Sequence, residues 1–107
     1  METKDIINQI KNGGVSVEQS SLRTALIFLL RKDGYKSKDI AIALDIHRNS
    51  ANYHYSRSLD FYDMNDKIFL SSLKELEQHE LRLVPYFVTR MGKHCIKTYL
   101  TIDNIKL

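Results

Sequence analysis

Arg48, Asn49, Ser50, Asn52, Tyr53, Ser56 and Arg57 fall within ten consecutive residues. These side chains share one kind of chemistry. An Asn amide offers one donor and one acceptor to an adenine edge, Arg forks onto guanine or phosphate, and hydroxyl groups reach either. Asn52 stands inside a helical pattern, where an amide has low propensity, and adenine recognition accounts for its presence. Asn49 has a second reading as the N-cap of that helix, and Tyr53 fits equally well as a partly buried surface ring. Upstream, Lys36, Ser37 and Lys38 straddle the start of another short helical pattern, where a phosphate meets both lysine and unpaired backbone N–H groups.

Two helices must hold these residues in place. Ile40, Ala41 and Leu44 form an apolar stripe at i, i+1 and i+4, and Ile46 supplies an apolar plug in the following turn. Ala51, Tyr55 and Leu59 resume the stripe at i, i+4 and i+8. Ala41 and Ala51 are small enough for two helices to cross closely at a steep angle. Ser37 is read as the cap of the first helix, Lys38 to Leu44, while His47 or Asn49 begins the second, which runs to about Tyr62.

The segment Lys36 to Leu59, about a quarter of the chain, resembles the helix-turn-helix of LuxR-type response regulators and of sigma-factor region 4. Ile40-Ala41, Leu44, Ile46 and Ser50-Ala51 fill that frame, and His54 stands where LuxR-type domains often carry a histidine. The segment is also similar to the DNA-binding domain of the DnaA replication initiators, through Leu44 and Ser50. There Asp45-Ile46 replaces a pair of glycines and Arg48-Asn49 replaces an Asp-His pair. Either resemblance implies duplex DNA as the partner, in transcription for the first and at a replication origin for the second.

Charge and composition agree with a polyanionic partner. The net charge is only +3 over 107 residues, but residues 22–58 carry +4, residues 59–83 carry −3 and residues 84–107 carry +3. The positive charge lies on the proposed reading unit and on the last segment. The apolar run Ala25 to Leu30 is far shorter than the roughly 20 residues that cross a bilayer, and the first residues lack the apolar core of a signal peptide. A cytoplasmic location without membrane contact is expected, and the lone Cys95 suits a reducing compartment. His47 and His54 are seven apart and His94-Cys95 adjacent, so no pair has short zinc-ligand spacing. With no glycine-rich phosphate loop, nucleophile elbow or paired-carboxylate cleft, the expectation is a protein that is not an enzyme and uses no cofactor, metal or small-molecule ligand.

Along the chain, residues 1–15 read as a short helix, Lys4 to Lys11, with a joint at Asn12-Gly13-Gly14. Residues 16–83 read as the helical domain. Ser16 and Gln19 suggest a capping box, Leu22, Ala25, Leu26, Leu29 and Leu30 a core helix ending before Gly34, and Ile68, Phe69, Leu73 and Leu76 a further helix that packs on it and ends near His79. Residues 84–107 read as a β-hairpin extension, Pro85 to Arg90 and Cys95 to Ile102, turning at Met91-Gly92-Lys93. The expected fold is mainly α: a helix-turn-helix bundle of four to five helices with a C-terminal hairpin. That hairpin is either a wing, with Arg90, Lys93 and His94 touching phosphate, or a contact between two copies.

Two function classes follow. One is a sequence-specific double-stranded DNA-binding protein acting as a homodimer, a small transcriptional regulator or a replication-origin binder, of a size that suits a phage or mobile element. The other is an adaptor whose helix pair is only a packing unit. Polar donors on the second helix favour DNA; exposed Leu, Phe or Met there would favour the adaptor.

Overall fold

The computed structural model describes residues 2–12 and 17–107, with side chains for 2–11 and 21–107. Among these are five helices: α1 (Thr3–Asn12), α2 (Val17–Lys32), α3 (Ser37–Leu44), α4 (Arg48–Asp63) and α5 (Lys67–Glu77). They precede an antiparallel sheet of β1 (Leu81–Arg90), β2 (Lys93–Ile102) and β3 (Ile105–Lys106), in the order β1-β2-β3. The chain is therefore mainly α with a C-terminal hairpin. The glycine joint at Gly13-Gly14 and the capping box of Ser16 and Gln19 rest on residues or side chains outside those described.

α2 is the central element. Ala25, Leu26, Ile27 and Leu30 are fully buried, a wider face than one stripe supplies, because α1, α4 and α5 all pack on this helix. Phe28 at its side meets Phe69 of α5 edge-on, with ring centroids 5.7 Å apart. Ile6, Ile7 and Ile10 of α1 and Leu83, Leu100 and Ile102 of the sheet join the same cluster. Residues of α1 and of the sheet thus share one core cluster with α2, α3 and α5.

Three helices end in one way. Gly34 (φ +100), Asp45 (φ 55) and Asn65 (φ 55) each adopt the left-handed conformation after α2, α3 and α4. In each case the next residue's N–H reaches back five residues, as Tyr35 to the Leu30 carbonyl, Ile46 to Ala41 and Asp66 to Phe61, the Schellman arrangement that satisfies terminal carbonyls. Asp66 then caps α5, its Oδ1 accepting from the Phe69 N–H at 2.9 Å.

The hairpin is longer than expected, because its base is core. β1 and β2 pair over their whole length from Leu81↔Ile102 to Arg90↔Lys93. Met91 (φ 52) and Gly92 (φ 75) form a two-residue turn of the type that needs positive φ at both positions. In such a turn the flanking pair Arg90↔Lys93 is hydrogen-bonded and the pairs alternate from there. Pro85, five residues back, therefore sits where a backbone N–H would point away from β2, and the outer edge of β1 lacks that donor. A second such turn at Asp103-Asn104 (φ 52 and 67) leads into β3. The Asp103 carboxylate binds this corner to the helices, accepting from the Thr3 hydroxyl at 2.7 Å and from the Glu80 N–H at 2.8 Å, and facing His79 Nδ1 at 2.5 Å. Hydrogen bonding from His79, then Thr3, then the Glu80 N–H pushes this carboxyl down to about 2.

Candidate nucleic-acid interface

α3 and α4 are joined by Asp45, Ile46 and His47. No side chain caps α3, and the cap position is Lys36. Ser37, expected as the cap and as a DNA contact, lies instead one residue inside the helix at 8% exposure. It falls on the same face as Ile40, Ala41 and Leu44, at i, i+3, i+4 and i+7, and so turns inward. Lys36 and Lys38 on either side of it are exposed.

His47 is the N-cap of α4, its Nδ1 accepting from the Asn49 N–H at 3.1 Å. Asn49 is thereby free of the capping role and is exposed in the first turn. The buried face of α4 differs from the expected stripe. Ala51 is fully buried and Tyr55 half-buried, but Leu59 is exposed and Ser58 takes the inner place. The Ser58 hydroxyl donates to the Tyr55 carbonyl at 2.5 Å, which satisfies its polar atom inside the protein.

Opposite that face stand Asn49, Tyr53 and Ser56, with Asn52 and Arg57 on its two flanks and Arg48 and Ser50 at the N-terminal end; all seven are exposed. The structure brings them together on one element, and no acidic residue precedes Asp60 in the helix. Tyr53 is an outward ring, not a partly buried one. Arg57 lies back along the helix, donating to the Tyr53 hydroxyl at 3.2 Å and passing over the Tyr53 and Phe61 rings at 5.7 and 5.1 Å. Two aromatic rings therefore hold the guanidinium at the rim of this face.

His54 enters the sequence reading through its place in the motif and its seven-residue spacing from His47. It is half-buried between α4 and α2, with Nδ1 3.2 Å from the Thr24 hydroxyl. Burial first, then the charges of Arg23 and Arg57, hold its imidazole below the ordinary range. The unfolded chain takes the proton more readily, so the contribution of His54 to stability is complete above about pH 6.5 and declines as pH falls below it. Melting temperatures followed from about pH 7.5 to about 5.5 should fall less for His54→Gln than for the parent. Parallel curves would remove His54 from the acid response.

Arg90, Lys93 and His94 are exposed at the hairpin tip, where His94 Nδ1 lies 3.2 Å from the Thr89 hydroxyl. Three large apolar residues beside them carried no role in the sequence: Phe87, Met91 and Ile96, exposed at 77%, 97% and 60%. A methionine before glycine in a tight turn was the available signal. Exposed apolar residues also occur beyond the polar face, at Leu59, Tyr62 and Met64 near the end of α4 and at Ile68 on α5, the last expected in the core stripe of α5. Among the described residues no cluster of three His, Cys, Asp or Glu is arranged for a metal, and no helix is long and apolar enough to cross a membrane. Comparison of the chain with known family models, characterised proteins and solved structures gave no match.

Proposed function

We propose that this chain is a sequence-specific double-stranded DNA-binding protein, a small transcriptional regulator in which α3 and α4 form a helix-turn-helix. One observation carries the reading: Asn49, Asn52, Tyr53, Ser56 and Arg57 are exposed on the side of α4 away from α2 and α3, with Arg48 at its N-terminal end. α4 enters the major groove with Asn52 and Asn49 toward base edges. The uncapped first turn of α3, with Lys36 and Lys38, and Arg57 at the rim of α4 meet phosphates. One such helix gives too little contact for tight specific binding, so two copies occupy half-sites about 10 bp apart or a multiple of that. Binding at a replication origin uses the same surface and differs only in the target.

Selection of bound duplexes from a random pool tests the reading; an enriched motif supports it and the absence of any duplex binding overturns it. The phosphate contacts have their own signature. Lys36→Ala, Lys38→Ala and Arg57→Ala should each reduce the slope of log affinity against log salt by about 0.9, measured between about 50 and 200 mM, and weaken all duplexes alike. A slope unchanged in all three variants would remove these residues from the interface. The adaptor reading draws on Leu59, Met64 and Ile68, whose exposure at the far end of α4 and on α5 suits a protein partner; failure to bind duplex DNA would favour it.

A further inference from the structure

The far half of the hairpin has no use in the fold. From Leu81 to Ile102 the chain contains Arg82, Arg90, Lys93 and Lys97 and no Asp or Glu. The Thr98 hydroxyl donates to the Asp39 carbonyl at 2.6 Å, which fastens β2 to the first turn of α3, next to Lys38. Beyond that point β2 continues for five residues to Lys93, about 17 Å at ~3.4 Å per residue. Phe87 and Ile96 are cross-strand partners and lie on the sheet face that holds Leu83 and Leu100 nearer the body, so an apolar stripe leaves the core and continues into solvent.

At the tip, Met91 occupies a positive-φ turn position that Asn, Asp or Gly fill with less strain. Its side chain is almost wholly exposed, so packing gives nothing back for that strain. The charge decides what covers this arm. Two such arms, each with three cations (Arg90, Lys93 and Lys97) and no acid, repel one another, and Pro85 interrupts the outer edge of β1. A duplex attracts the same charges and accepts apolar wedges between its base steps.

We propose that the hairpin is a minor-groove arm, with Arg90 and Lys93 on the phosphates that flank the groove and Met91 inserted at a base step, bending the duplex. The inference rests on the reading of α4 as a major-groove helix. On one side of a duplex the minor groove lies half a helical turn from the major groove, about 17 Å, which is the reach of the arm past α3.

The test uses the full chain and a duplex of about 30 bp carrying the enriched site, with donor and acceptor dyes at its ends. The parent should shorten the end-to-end distance on binding. Met91→Asn, which suits the turn better, should melt no lower than the parent and still bind, with the shortening lost. Arg90→Ala/Lys93→Ala should bind about tenfold more weakly with a salt slope smaller by about two. Netropsin, which fills the minor groove, should compete with the parent, whose Met91 enters that groove. Equal bending by Met91→Asn together with unchanged affinity and slope in the double variant would overturn the arm while leaving α4 as the reading helix, provided Asn52→Ala still loses the site. A parent that binds no duplex overturns both. A parent that sediments as a dimer, with Phe87→Ser a monomer of equal melting temperature, assigns the arm to a second copy and overturns the proposal.

Discussion

Asn52→Ala is expected to weaken binding to the preferred duplex by about 1–3 kcal/mol, a loss of roughly 5- to 150-fold, and to leave binding to random duplex almost unchanged. The reasoning starts from position. Asn52 is exposed in the second turn of α4, next to the fully buried Ala51, so its register is fixed by its neighbour. An amide there gains nothing from packing, and alanine is the better helix former, so stability should stay equal or rise slightly. Paired measurements of melting temperature and of affinity for specific and random duplexes separate the two effects. A variant that melts lower while discriminating as well as the parent would make Asn52 a structural residue.

The largest effect on stability is expected from Phe69→Ala, at about 3–5 kcal/mol, read from denaturant unfolding. Phe69 is the largest of the fully buried side chains, and its ring contacts those of Phe28 and Phe61 at centroid distances of 5.7 and 5.9 Å. It therefore joins α5 to α2 and α4 at once. Removing it leaves a cavity that three helices border, and helices held by several contacts collapse poorly into a void. Phe69→Leu should recover more than half of the loss. A cost below about 1 kcal/mol for the alanine variant would show that α5 contributes little to holding α4 in place.

Much of this arrangement is legible in the residues. The ends of α2 and α4 follow from Gly34 and from Met64-Asn65, since glycine and asparagine tolerate the left-handed closing residue that a helix of this kind needs. The exposed face of α4 follows from Ala51, because one buried small residue fixes which side chains point the other way. Other features are silent for physical reasons. Ser58 carries no hydrophobic signal, as its hydroxyl is satisfied by its own helix, and so Leu59 is taken as the inner residue. Ile27 falls off the single stripe of α2, and its burial follows from α2 being surrounded by other helices. The base of the hairpin is hidden at Leu81 and Leu83, where an acidic stretch precedes and Arg82 intervenes. Ser37 reads as a cap by type and is displaced from that role by one residue of register.

The joint between α3 and α4 has a kinetic consequence. Asp45 and Ile46 send their N–H groups back into α3, His47 closes the first turn of α4, and Ile46 packs on the core, so none of the three linking residues is loose. A partner docking on α4 meets a helix already in its final orientation, and little conformational freedom is lost in the encounter. Partners that fit well or badly then arrive at similar rates. They differ in how long they stay, which makes the lifetime of the complex the quantity that variants of this face should change.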